Sequence, residues 1–222
     1  MVLNNLDGLI RKFDIGIQIN ELQREFKELL PKIEEIGWWG APGATHQFQF
    51  AVQSRSDSNE QYHECCGPQP DLNIDNETNP LTEGSFDCIN DIFKDTYFEK
   101  LINMFPIDVT RTRILKLKGK SCYRLHRDMT YKFHIPIITN PSNLFLFPEQ
   151  YHRHIVHLPA DGSVYYTDTS VPHTFLNGGT KDRYHIVLSS TLDKDVLLTD
   201  FKKELDFDRE SFPSLDENGE WI

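Results

Sequence analysis

Two histidines and an aspartate stand at a spacing that can hold a divalent metal: His126-Arg127-Asp128, followed far along the chain by His173. In an extended segment successive side chains leave on opposite faces, so His126 and Asp128 point the same way and can reach one ion. Two imidazoles and one carboxylate gathered on one side of a metal leave positions open for other ligands. That arrangement suits non-haem iron(II). The chain has nine histidines, so spacing must discriminate between candidates. A second cluster, His152, His154 and His157, fails on that count. Period two puts the first two on one strand face and the third on the other, with no carboxylate inside the cluster. These read as ordinary strand histidines.

The run after His173 is HTFLNGGTKDR, with a turn signal at Asn177–Gly179. A hairpin centred on Gly178 would make His173 and Arg183 cross-strand partners on one face, with Cβ atoms roughly 4.5–5.5 Å apart. A five-carbon diacid could then chelate the metal at one end and meet the Arg183 guanidinium at the other. The planar fork of arginine binds a carboxylate through two parallel hydrogen bonds. The competing reading of Arg183 is a surface strand residue paired with Asp182 or Asp168.

These residues need a scaffold, and the pattern from residue 111 onward supplies one. Short β-like runs (TRILKLK, YKFHIPII, LFLF, HRHIVHL, SVYYT, HTFL, RYHIVLSS) alternate with turn signals at Lys118-Gly119, Asn140-Pro141, Asp161-Gly162 and Asn177–Gly179. Such spacing predicts an all-β sandwich or barrel, mainly β with helices flanking it. In YKFHIPII, Phe133, Ile135 and Ile137 share one face and Lys132 and His134 the other, the pattern of a wall around a polar cavity. Residues 20–30 predict an amphipathic helix capped by Asn20, with Gln23 in the capping-box position and Pro31 breaking or kinking it. A second helical region is expected over about 86–105, a strand at HQFQFAVQ, and a long polar loop over 54–84. The expected organisation is one domain, 1–222, with a helical and irregular part (1–110), a β core (111–190) and a C-terminal extension (191–222).

Bulk composition narrows the function classes. The net charge is −11, which argues against binding a phosphate backbone. One stretch departs from it: Arg111, Arg113, Lys116, Lys118, Lys120, Arg124, Arg127 and Lys132 face a single acid, Asp128. Composition alone reads this run as solvated strand faces; the alternative is a local field that draws in a small dianion. No apolar run approaches the roughly 20 residues of a membrane span, and the first residues lack a signal-peptide pattern. A soluble, cytoplasmic protein is expected. The four cysteines, including the vicinal pair Cys65–Cys66, read as free thiols. The sequon at Asn76 reads as chance.

Residues 112–190 resemble the aspartyl/asparaginyl β-hydroxylase family of iron(II)- and 2-oxoglutarate-dependent dioxygenases. The resemblance rests on TRILKLKGKSCYRLHRD, YKFHIPIITNPSNLFLF and VHLPADGSVYYTDTSVPHTFLNGGTKDRYHIVLSS. It implies a double-stranded β-helix (jelly-roll, cupin-like) core. It implies that His126, Asp128 and His173 bind Fe(II) and serve the chemistry, and that Arg183 binds the distal carboxylate of 2-oxoglutarate. His134 matches a position near the co-substrate. Lys132 stands where some members carry arginine, and so is a further candidate for co-substrate binding. O2 would be the second co-substrate, and an amino acid or peptide side chain the hydroxylated partner, with succinate and CO2 released. A cupin-like metal-binding or small-molecule-binding module without turnover is the competing class, and an interaction jelly roll without a metal site is a third. Oligomeric state is not legible.

Overall fold

The computed structural model describes residues 8–67, 82–149, 152–192 and 200–205. Its core is two antiparallel sheets face to face. The strands are β1 (Ile10–Phe13), β2 (Gln47–Ala51), β3 (Gln53–Ser54), β4 (Cys88–Ile89), β5 (Thr110–Leu117), β6 (Ser121–Cys122), β7 (Lys132–Ile138), β8 (Asn143–Glu149), β9 (His152–His157), β10 (Val164–Thr167), β11 (Thr174–Asn177), β12 (Arg183–Ser189) and β13 (Glu204–Leu205). The major sheet runs β13-β1-β10-β7-β12-β5-β2 and the minor sheet β6-β11-β8-β9, with β3 and β4 as a separate pair. From β5 to β12 the chain passes back and forth between the two main sheets, the winding of a double-stranded β-helix. All seven runs expected after residue 111 are strands.

Two apolar layers follow from strand alternation. Outside the major sheet, Ile114, Phe133, Ile135, Ile137, Tyr184, Ile186 and Leu188 form one core with Leu22, Phe26, Ile33, Phe98 and Leu101. Between the sheets, Leu117 and Tyr165 meet Phe145, Phe147, Val156 and Phe175. Lys132 and His134 are buried on the inner side of β7, as the alternation in YKFHIPII predicts.

The helices differ from expectation in their limits. Helix α1 covers Ile19–Ile36, begins after Gln18 with no side-chain cap, and continues through Pro31. Pro31 is exposed, so the Lys27 carbonyl it leaves without a donor can turn to water, while Leu22, Phe26 and Ile33 hold the helix to the sheet. The segment 86–105 is not one helical region. It holds β4, a short 3₁₀ turn at Asp91–Phe93, and α2 (Tyr97–Met104). Asp95 sits at φ 60°, outside helical space, and Thr96 then caps α2 by accepting from the Phe98 N–H at 3.1 Å.

The part before residue 110 also contributes more β structure than its composition suggested, since β1 and β2 extend the major sheet on either side. β13, in the C-terminal extension, pairs with β1. The polar loop is not without anchors: Cys65 and Cys66 are buried against Phe86 and Ala51. Residues 68–81, with the Asn76 sequon, and most of the C-terminal tail lie outside the described residues. The four cysteines are free. Among the described residues no helix is long and apolar enough to cross a membrane.

Candidate metal centre

His126 and His173 are brought together by a short antiparallel bridge. The His126 N–H donates to the His173 carbonyl at 3.1 Å and the His173 N–H returns the bond at 2.9 Å. The Asp128 N–H donates to the Thr169 carbonyl at 2.8 Å, which fixes the carboxylate beside the pair. The His126 and His173 ring centroids are 4.3 Å apart. Each Asp128 oxygen faces one ring: Oδ1 is 3.9 Å from His126 Nε2 and Oδ2 is 4.0 Å from His173 Nε2. All three donor atoms lie within 4.8 Å of one another, and no other group of this kind occurs among the described residues.

The other ring nitrogens decide what these histidines can do. His126 Nδ1 lies 2.7 Å from the Arg124 carbonyl, and His173 Nδ1 lies 3.0 Å from the Val171 carbonyl. A carbonyl only accepts, so each Nδ1 carries the proton and each Nε2 presents a lone pair to the common centre. Burial holds His173 below the ordinary histidine range, which keeps it neutral and able to ligate. The donor set therefore fits a divalent metal with three protein ligands and open positions. His126 and Asp128 are partly exposed and form the mouth, while His173 is 2% exposed and forms the wall. Leu125 and Met129, on either side of the His126–Asp128 segment, are two of the few exposed large apolar side chains.

Arg183 is reached by a route the hairpin reading missed. β11 belongs to the minor sheet and β12 to the major sheet, so His173 and Arg183 are not cross-strand partners. The segment between them crosses from one sheet to the other. Asn177 ties the crossing down, donating to the Leu117 carbonyl at 3.1 Å and the Lys181 carbonyl at 2.9 Å. Arg183 thus begins β12 on its inner face, only 1% exposed. Its guanidinium lies 4.5 Å from the Phe175 ring centroid and 5.9 Å from that of Tyr123. Phe175 stacks on Phe145 at 4.1 Å, and Phe145 meets the His173 ring edge-on at 5.4 Å. An aromatic floor therefore links the metal centre to the arginine.

Arg183 Nε and Nη1 have no hydrogen-bond partner, and among the described residues no carboxylate pairs with this guanidinium. Burial lowers its pKa to about 10. A fully buried cation without a counter-ion is costly, and the cost is removed when an anion enters. The surface pairing with Asp182 or Asp168 is not what the structure shows; Asp182 pairs with Lys116 at 3.3 Å.

The remaining candidates differ from one another. His134 lies in the interior, 5.3 Å from Phe175 and 6.0 Å from His185 between ring centroids, and neither nitrogen has a partner. Desolvation first, and the nearby Arg183 charge next, keep it neutral. Lys132 is buried, but its ammonium is engaged by Glu83 at 2.8 and 3.1 Å and by Ser189 at 3.0 Å. Its neighbours hold Glu83 at a pKa of about 2, against the burial that would raise it. Two residues stand out that were not singled out in the sequence. His185, two positions past Arg183, shares its inner face and also has two unpartnered nitrogens; the same period-two reading that found His134 would have found it. Glu83 lies in the stretch taken for a polar loop, with nothing in its neighbours to mark it. The basic run divides: Lys118, Lys120, Arg124 and Arg127 are solvated, while Arg111, Arg113 and Lys132 are buried. Of the second histidine cluster, His157 Nδ1 binds the Asn143 carbonyl at 2.9 Å.

No family model matches the chain, and no curated protein matches it. Solved structures do. The chain is similar to a prolyl-4-hydroxylase from Pseudomonas putida, at 12% identity, covering 84% of this chain and 95% of that one with a TM-score of 0.49. It is also similar to an oxidoreductase of the 2OG-Fe(II) oxygenase family from Burkholderia pseudomallei (14% identity, 77% and 88% covered, TM-score 0.38). A third is HygX from Streptomyces hygroscopicus with nickel, 2-oxoglutarate and hygromycin B bound (11% identity, 84% and 85% covered, TM-score 0.44). At such identities neither residue roles nor substrates carry over.

Proposed function

We propose that the chain is an iron(II)- and 2-oxoglutarate-dependent dioxygenase that hydroxylates a C–H bond of an amino acid or amino-acid side chain. The observation that carries this reading is the unpaired, buried Arg183 guanidinium joined by an aromatic floor to a His-Asp-His centre. A metal site alone would not need that arginine. The order of motifs, which resembles the aspartyl/asparaginyl β-hydroxylases, supports the same class.

His126, Asp128 and His173 would hold the metal, with the Arg124 and Val171 carbonyls orienting the two rings. The metal, with 2-oxoglutarate and O2, supplies the oxidising chemistry, and succinate and CO2 are the co-products. Arg183 receives the distal carboxylate of 2-oxoglutarate through its free N–H groups. His134 and His185, neutral beside it, offer N–H donors without adding charge. Phe145, Phe147 and Phe175 exclude water from the inner end. Leu125 and Met129 give the mouth an apolar rim against which a substrate can rest.

The test is succinate formation from 2-oxoglutarate with iron(II) and ascorbate under air, with and without candidate amino acids. Turnover that disappears in His126→Ala is expected. Stoichiometric metal binding with no succinate above that control would instead leave a binding module without turnover.

A further inference from the structure

Among the described residues four Lys or Arg side chains are buried (Arg111, Arg113, Lys132 and Arg183), and no Asp or Glu is. Their partners account for two of them. Glu83, half-buried at the rim, pairs with Arg111 at 2.9 Å and Lys132 at 2.8 Å. Arg111 also donates to the Cys65 and Gly67 carbonyls at 3.1 and 2.7 Å. Arg183 is answered, in the reading above, by the far carboxylate of 2-oxoglutarate. Arg113 is left over.

Arg113 is 6% exposed and lies on the inner face of β5. Its Nη1 donates to a neutral acceptor, Gln49 Oε1, at 2.9 Å, and its Nε has no partner. Glu83 feels the Arg113 charge but gives its direct bonds to Arg111 and Lys132. The other acidic neighbour is the buried Cys65 thiol, which its desolvation raises and which the hydrogen bond with Cys66, then the two arginines, draw down. In the sheet, Arg113 stands opposite Val187, and Val187 stands opposite His134. Arg113 and His134 therefore flank one strand, about 10 Å apart at Cα, on the inner face of the major sheet. The charge of Arg113 is felt at Lys132, His134 and Tyr123. It does not figure in what sets Arg183, whose Cα is about 14 Å away by strand geometry. One dicarboxylate chelated at the metal and gripped by Arg183 has no carboxylate left for Arg113.

We propose that Arg113 is a second anion site that binds a carboxylate of the substrate, so that the substrate is a small carboxylate-bearing molecule such as a free amino acid. This rests on the dioxygenase reading and deepens it. Arg113 is then a specificity-determining residue: it accepts a free carboxylate and leaves an internal peptide residue, whose carbonyl is neutral, without a counter-charge for the guanidinium.

The experiment follows the Arg113 Nε–Hε signal by NMR, assigned by its absence from Arg113→Lys. The protein is loaded with Zn(II) and N-oxalylglycine, an inert stand-in for 2-oxoglutarate. The probes are acetate, then the common L-amino acids, each against the primary amine that lacks its carboxylate. A saturable shift with acetate is expected, with at least one amino acid binding about tenfold or more tightly than its amine. Arg113→Gln should lose that preference and Arg113→Lys retain part of it. An Arg113 signal unmoved by any carboxylate, or amino acids and amines binding alike, overturns the proposal. So does an amino-acid preference undiminished in a folded Arg113→Gln. If Zn(II) and N-oxalylglycine do not bind the wild type, the dioxygenase reading fails instead. A failure at Arg113 after successful loading leaves that reading standing.

Discussion

At the scale of single residues, the site is organised by what is left unsatisfied. Arg183 has free N–H groups in a place where water does not reach, and that state is unstable without an anion. Two outcomes follow. Arg183→Ala should raise the 2-oxoglutarate requirement by about 100-fold, the loss of two charge-assisted bonds, while metal binding measured by calorimetry stays intact. Arg183→Met should make the ligand-free protein more stable, by about 1–3 kcal/mol in urea unfolding, because it removes an uncompensated buried charge. Unchanged co-substrate dependence in the first variant would remove Arg183 from its assigned role. His134 and His185 make a prediction in pH. Both have folded pKa values well below the ordinary value, so the unfolded chain takes up their protons first as pH falls. Stability of the metal-free protein should decline as pH drops through about 6.5 and keep declining below it, with His185→Phe flattening the slope between pH 7 and 5.5.

At the scale of elements, the outer face of the major sheet depends on α1. Phe26 is fully buried and its ring lies 4.9 Å from that of Tyr184, the residue next to Arg183 on the opposite face of β12. Phe26→Ala should cost about 3–5 kcal/mol in denaturant unfolding. A loss below about 1 kcal/mol would mean that α1 is not packed as described. The bulge at the start of β5 has a different task. Arg111 sits at φ 50° and the β5–β12 register shifts there, which turns its side chain toward Cys65, Gly67 and Glu83 instead of along the regular face. Glu83 can then bridge two strands, β5 through Arg111 and β7 through Lys132.

At the scale of the whole molecule, charge is arranged by depth. Among the described residues the buried Lys and Arg side chains are matched by no buried Asp or Glu. Within the described residues the interior is thus short of negative charge. Binding at the centre should also be visible in global stability. At a concentration about 100 times its dissociation constant, Mn(II) should raise unfolding stability by about 2.7 kcal/mol. His173→Ala should abolish that rise, and a thermal scan that shows the same shift in both proteins would place the ion elsewhere.

The pairing of His126 with Asp128 on one side of the chain was legible from sequence because it depends on local geometry. Period-two alternation puts His126 and Asp128 on one side whatever the rest of the chain does, and the β grammar after residue 111 needs only turn residues and short apolar runs. The inward direction of Lys132 and His134 was legible for the same reason. What tertiary structure alone decided are the relations between sheets. The turn at Asn177–Gly179 looks like a hairpin because turn residues specify a reversal, not the strand that receives the chain afterwards. The Asn177 side chain and the separate partners of β11 and β12 carry the chain across instead. Charge pairing was hidden in the same way. Lys132 and Arg113 are alike in the sequence, two cations on inner strand faces, but Glu83, far along the chain, bonds Lys132 directly, while Arg113 bonds the neutral Gln49 side chain. Local periodicity says which side a residue faces; only the folded chain says which charge is waiting there.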